Sequence, residues 1–150
     1  MTRLNLGAGP HQIAGFDNLD ANTGWRFELG LGEYPDGSVE GITISHSLMY
    51  VPKLNWEYVF KEFARVLEPG GIIRITEDDT ENEASERAGG WDDAVTLTGP
   101  KMMAAALRKA KLIVQKVDAD TTFFHDRSLL QAWHGLAPKC FWIEGRKPVA

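Results

Sequence analysis

The chain has 150 residues, 43% of them hydrophobic and 25% charged, with a net charge of -5. That length supports one core and a single domain over residues 1–150, with the composition of an ordinary globular chain. The acidic balance argues against a nucleic-acid partner, and no apolar run approaches the roughly 20 residues that a membrane span needs. The elements then follow in order. Met1-Thr2-Arg3 leads straight into a first strand at Leu4 to Leu6, which leaves no room for a signal peptide. His11 to Gly15 allows a turn of helix at most, so the first crossover is short. Phe16 to Leu19 reads as the second strand and Trp25 to Leu29 as the third, broken by Gly30-Leu31-Gly32. Tyr34-Pro35-Asp36-Gly37-Ser38 is turn chemistry. Ile42 to Ser45 is expected as a central fourth strand. A helix is expected from Trp56 to Leu67, N-capped by Asn55, with Trp56, Val59, Phe60, Phe63 and Leu67 on one buried face. Pro69-Gly70-Gly71 ends it, and Ile72 to Thr76 is the fifth strand.

Residues 77–98 read as a long polar loop with about one helical turn, and loops of that length in compact domains commonly carry function. Pro100 suits the first turn of the next helix, whose buried stripe is Met103, Ala106, Leu107 and Ala110. Ile113 to Val117 is a strand, Asp126 can cap a short helix through Trp133, and Cys140 to Glu144 is the last strand. Alternating strands and helices give a parallel sheet with right-handed crossovers. The last two strands lack a full crossover helix and can pair antiparallel at one edge. Cys140 is the only cysteine, so no internal disulfide forms and a reducing cytoplasm is the natural setting.

Two glycines, Gly7 and Gly9, flank Ala8 at the end of the first strand, and Asp20 closes the second. Glycines at a strand end let the backbone approach a ligand, and an acid at the next strand end can accept hydrogen bonds from a ribose diol. The pattern points to a nucleoside cofactor at the carboxyl edge of the sheet. The plainer alternative makes Gly7 and Gly9 turn glycines and Asp20 a helix or turn cap. The third glycine of a dinucleotide-binding loop is missing, since Gln12 stands there. A nicotinamide oxidoreductase is further disfavoured because Tyr50 and Lys53 are one residue too close for a Tyr-x-x-x-Lys pair.

The segments LNLGAGP, GFDNLDA, YPDGSVEGITISHSLMYVP and EFARVLEPGGIIRI resemble the small class I S-adenosylmethionine-dependent methyltransferases, in their order and spacing, over about the first half of the chain. The resemblance implies a three-layer, Rossmann-like α/β fold, mostly parallel with an antiparallel strand at one edge. It implies S-adenosylmethionine as cofactor, held around Asn5, Gly7, Ala8, Gly9 and Asp20. Asn5 stands where many members carry an acid. Glu28 and Leu29 fall where the family contacts adenine, and His46 where it lines the methionine end of the cofactor. Met49 and Tyr50 follow and face either the acceptor or the core, while Trp25 and Trp91 lie near loops where they can wall a pocket. The family's usual helix before the first strand is not in this sequence. The fold is therefore expected to be truncated at its N-terminus. The pocket is then more open, or takes a cover from residues 77–98 or from the partner in a homodimer.

Methyl transfer needs a base only when the acceptor loses a proton. His125 with Asp126 is the candidate catalytic pair, because no other histidine has an adjacent carboxylate. The plainer reading, Asp126 as a cap and His125 in solvent, weighs more. The acidic run from Glu77 reads first as a solvated loop, then as a contact for a cationic acceptor, and last as an oxygen-ligand metal site at Asp78, Asp79, Glu81 and Asn82. No zinc spacing is present, and no metal is expected. The DNA amino-methylase signature is also missing, which leans toward a small-molecule acceptor and leaves a protein or peptide acceptor open. The rival is a catalytically silent cofactor-binding module or regulatory subunit on the same fold.

Overall fold

Leu4 and Leu6, Ile42 and Ile44, and Ile73 and Ile75 each straddle one residue of a strand, so each pair points to one face of a pleated sheet. All six are buried in the computed structural model, which describes residues 2–78, 96, 98–118 and 140–149. The strands are β1 (Thr2–Leu6), β2 (Asp17–Leu19), β3 (Val39–Ser45), β4 (Leu67–Asp78), β5 (Ile113–Asp118) and β6 (Cys140–Arg146). They form one sheet in the order β2-β1-β3-β4-β6-β5. The β1–β2, β1–β3 and β3–β4 pairs are parallel. β6 runs antiparallel to both β4 and β5, so antiparallel pairing is confined to one edge, as expected. The register aligns Leu6, Ile44, Ile75 and Ile143 in one buried row.

Two helices cover that row. In α1 (Trp56–Val66), Trp56, Val59, Phe60, Phe63 and Val66 are buried. In α2 (Pro100–Lys109), Pro100 opens the first turn after an extended Gly99, and Met103, Ala104 and Leu107 are buried. Ala106 and Ala110, expected in that stripe, are only partly buried. The helices touch each other and so share one face of the sheet. Gly145 of β6 makes room for α2: a Cβ there would sit 3.2 Å from Ile73 Cγ2 and 3.5 Å from the Leu107 methyls.

The other face is polar. The same register aligns Asn5, Thr43, Arg74, Glu144 and Lys116 in a row. Glu144 accepts from Arg74 Nε at 2.8 Å and from Gln115 Nε2 at 2.8 Å. The connections on either side of β2, residues 7–16 and 20–38, contain no α-helix, only 3-10 turns at Ala21–Thr23 and Phe27–Leu29. The first crossover is therefore as short as the sequence implies.

Three local expectations need correction. Trp25 to Leu29 is not a strand. Trp25 Nε1 donates to Gly30 O at 2.9 Å, closing the segment on itself, and Leu29 is 63% exposed while Phe27 is buried, so the alternating residues share no face. Asn55 does not cap α1 with its side chain; it lies in helical conformation at the end of a 3-10 turn, Lys53–Asn55, that runs into the helix. Leu67 is already extended and pairs with Val39, so α1 stops at Val66, before the Pro69-Gly70-Gly71 stretch, which lies within β4. Among the described residues no helix is long and apolar enough to cross a membrane.

Candidate functional site

A cavity of about 410 Å³ opens at the carboxyl ends of β1, β2 and β3. The volume lies within the usual range for small-molecule sites. Its wall begins with the turn after β1. Gly7 and Gly9 have φ of 71° and 54°, a left-handed conformation that glycine adopts without strain. Gly7 is also fixed by packing, because a Cβ there would lie 2.5 Å from Ser47 Cβ. The turn is tied to β2 by Gly7 N and Ala8 N, which donate to Leu19 O at 2.8 and 3.2 Å.

Asp20 follows β2 and is 6% exposed. Its Oδ1 accepts from the backbone N–H groups of Asn22 at 2.7 Å and Thr23 at 3.1 Å. The Thr23 hydroxyl hydrogen-bonds back to the Asp20 backbone, completing a capping box. The carboxylate also lines the cavity, and its Oδ2 accepts no hydrogen bond among the described residues. Asp20 is thus a cap through one oxygen and presents a carboxylate to the cavity. The plainer sequence reading of Asp20, a turn cap, is the one its hydrogen bonds show.

Trp25 and Phe27 supply aromatic wall, packed edge to face with centroids 4.8 Å apart. Glu28 lines the cavity beside them, and Leu29 does not. Leu29 instead borders a neighbouring hollow with Leu19 and Tyr34. Asn5 and Ala8 also lie outside the lining. Asn5 Nδ2 donates to His11 O at 3.0 Å and to Asn18 Oδ1 at 2.8 Å, so this amide braces the 7–16 loop.

The opposite wall is the loop after β3. His46 is 1% exposed and holds φ at 52°, a strained value for a residue with a Cβ. Its backbone N–H donates to Thr76 O at 2.8 Å. Ser47 Oγ donates to Gly7 O at 3.1 Å, joining the two walls. Tyr50 and Val51 line the cavity, whereas Met49 is buried outside it and takes the core reading.

Glu77 was expected at the start of a solvated acidic loop, and the structure corrects this. It is fully buried near the end of β4, and its Oε1 accepts from Ser47 N at 2.9 Å and Leu48 N at 2.7 Å. The signal was available: Ile73, Ile75 and Glu77 share one parity, so the strand carries the carboxylate onto the buried face. Thr96 braces the same loop, its N–H donating to Met49 O at 3.0 Å and its Oγ1 to Val51 O at 2.7 Å. His125 and Asp126, Trp91, and the metal-site candidates Asp79, Glu81 and Asn82 lie outside the described residues. Among the described residues no group of acids, histidines and cysteines is arranged to hold a metal.

A family model described as "Methyltransferase domain" matches residues 21–75. No curated protein sequence matches the chain. Solved structures resemble it in fold at low identity. A SAM-dependent methyltransferase from Archaeoglobus fulgidus is 12% identical with a TM-score of 0.71, the match covering 97% of this chain and 86% of that one. A complex of the Haloferax volcanii Trm112 methyltransferase activator with a protein described as a methyltransferase gives 16% identity and a TM-score of 0.67, covering 98% and 82%. A phosphoethanolamine N-methyltransferase from Haemonchus contortus, solved with S-adenosyl-L-methionine, gives 13% and 0.65, covering 98% of this chain and 49% of that one.

Proposed function

We propose that this chain is a class I S-adenosylmethionine-dependent methyltransferase acting on a small-molecule acceptor, a reading supported by its fold and by the methyltransferase-domain model that matches residues 21–75. The observation that carries the reading is the convergence of Gly7, Gly9 and Asp20 with the aromatic wall of Trp25 and Phe27 around one cavity. These residues fit a nucleoside. Asp20 Oδ2 is left to accept from ribose hydroxyls, a charge-assisted interaction, while Oδ1 holds its own turn in place. Trp25 and Phe27 offer an apolar face to a purine, and Glu28 offers an acceptor beside it. His46 and Ser47 form the end of the cavity toward β3.

When bound, the cofactor supplies an activated methyl group on its sulfonium. The chain's own contribution is alignment, which supplies a large part of the rate of a two-reactant displacement. Glu77 fixes the 46–50 loop through two backbone N–H groups, and Thr96 fixes it from the other side, so that wall is rigid before ligand arrives. For a hydroxyl or amine acceptor, His125 takes the proton and Asp126 orients it; His125→Asn then lowers turnover by about 10²–10⁴-fold without changing cofactor affinity. A small acceptor is preferred over nucleic acid by the net charge of -5, which offers no general attraction for a polyanion.

One observation favours a second reading, a cofactor-binding subunit that works through a partner. Asn5 stands where many members of the family carry an acid, and it is turned into the 7–16 loop instead of lining the cavity. The Haloferax volcanii neighbour was solved in complex with an activator protein.

The test is transfer from methyl-labelled cofactor into a cell extract separated into low-mass, protein and nucleic-acid fractions. Label in the low-mass fraction supports the proposal. Label confined to the macromolecules contradicts it. Cofactor binding with no label in any fraction favours the second reading.

A further inference from the structure

A second cavity, of about 330 Å³, lies between α1 and α2 and shares no lining residue with the first. Its floor is apolar: Trp56 and Phe60 from α1, both buried, with Met102 and Ala106 from α2. Leu54 stands at its rim, 91% exposed. The charged groups around it are Lys53, Lys61, Lys109 and Glu57. Glu57 is the only carboxylate in that set, and it is shared. Lys61 Nζ lies 3.5 Å from Glu57 Oε1 and Lys109 Nζ 3.7 Å from Glu57 Oε2. Lys53 has no carboxylate partner among the described residues; its ammonium sits 4.4 Å from the centroid of the Trp56 ring.

Three ammonium groups around one carboxylate leave an excess of positive charge, on a chain whose net charge is -5. Burial, and after it the proximity of Lys109, holds the Lys53 ammonium below its usual pKa. Among the described residues, the carboxylates at the mouth of this apolar cavity are fewer than the ammonium groups around it. An apolar floor under a cationic rim is complementary to a molecule with an apolar body and an anionic head.

We propose that the cavity between α1 and α2 is a binding site for a small amphiphilic anion, with its apolar chain on Trp56, Phe60 and Met102 and its carboxylate or phosphate between Lys53 and Lys109. The site is separate from the cofactor cavity but linked to it. Trp56, on the floor of one, donates its Nε1 hydrogen bond at 3.0 Å to the carbonyl of Val51, which lines the other.

Calorimetry with octanoate and with octan-1-ol as its neutral match tests the proposal, on the full chain with and without S-adenosylhomocysteine. The expected result is octanoate binding at least tenfold tighter than the alcohol, with the gap narrowing as salt rises. The double variant Lys53→Gln/Lys109→Gln should lower octanoate affinity to that of the alcohol. Ala105→Phe, at an exposed position on the rim, should block both ligands by filling the mouth. S-adenosylhomocysteine affinity should be unchanged in both variants, which also reports that they are folded. Equal affinity for acid and alcohol, no octanoate binding, octanoate binding unaffected by the variants, or competition between octanoate and S-adenosylhomocysteine would each overturn it. So would tight binding of an acidic peptide probe by a chain that ignores octanoate.

Discussion

Residues 46–66 and residues 7–38 both return the chain to the edge of the same sheet, and they do so with different forces. The first returns through α1, whose buried side chains interdigitate with the apolar face of β3 and β4. The second uses no α-helix. Beyond the buried anchors Phe27 and Leu31, it is held by polar side chains that bond to backbone: Asn5 and Asn18 across the 7–16 loop, Asp20 in its capping box, and Glu62 and Arg65 reaching from α1 to the 31–36 turn. Hydrophobic contact is broad and tolerant of solvent conditions, whereas these bonds are few, directional and sensitive to charge. Residues 7–38 are therefore expected to open at lower free energy than α1 and the strands it covers.

The largest effect expected is on the helical side. Phe63 is 1% exposed and packs against Phe27 and Phe60. Phe63→Ala should cost about 3–5 kcal/mol of global stability in a urea melt, through lost burial and a cavity. Asn18→Ala should act locally and less. Its side chain accepts from Asn5 and from Ile13 N and donates to Ile13 O and Phe16 O. Its loss should cost about 1–3 kcal/mol and speed hydrogen exchange over 7–18 with little change in α1. If Asn18→Ala lowers the global melt as far as Phe63→Ala, the two regions are one cooperative unit and the contrast fails.

The charge-held side should also respond to pH. Hydrogen bonding to Arg65, opposed by burial, holds the Glu62 carboxyl below its ordinary value of 4.5. A depressed carboxyl stabilises the fold above its unfolded value and loses that contribution as pH falls through the folded one. Melts from pH 7 to 3 should therefore show an acid slope that Glu62→Gln reduces. Tyr34 gives an effect of the opposite sign. Burial first, and then its hydrogen bond to Asp17 at 2.9 Å, push the phenol up to about 12. That contribution is present below about pH 10 and lost as pH rises toward 12. Tyr34→Phe should flatten this alkaline limb, and an unchanged limb would remove Tyr34 from the account.

The difference between the regions also decided what could be read from the sequence. Apolar periodicity marked α1 and the central strands to within a few residues, because repeated burial writes itself as a repeated pattern. It misplaced a strand at Trp25 to Leu29, where the indole hydrogen bond to Gly30 O joins two backbone turn bonds, Leu29 N to Arg26 O and Gly30 N to Phe27 O. The glycines were legible because few residue types serve a tight turn of positive φ. That Asp20 caps its turn through Oδ1 alone was not, since only geometry separates Oδ1 from Oδ2. Glu77 was hidden by its neighbours: in an acidic run it reads as solvated, and the strand's parity was the quieter signal. Leu29 was placed by analogy and points to another hollow, because the 3-10 turn at Phe27–Leu29 rotates alternate side chains apart.

The central claim is that Asp20 holds the cofactor through one oxygen while capping its own turn with the other. Asp20→Asn separates these roles, because the amide oxygen can keep accepting from Asn22 and Thr23 while the charge and the second acceptor are lost. Calorimetry with S-adenosylhomocysteine on this variant, beside a urea melt and with NAD as control ligand, is the direct measurement. The account predicts a melt close to that of the parent and an affinity reduced more than tenfold, corresponding to the loss of about 1.5–3 kcal/mol for hydrogen bonds to a charged group. Unchanged affinity with an unchanged melt, or tighter binding of NAD than of S-adenosylhomocysteine by the parent chain, would contradict it.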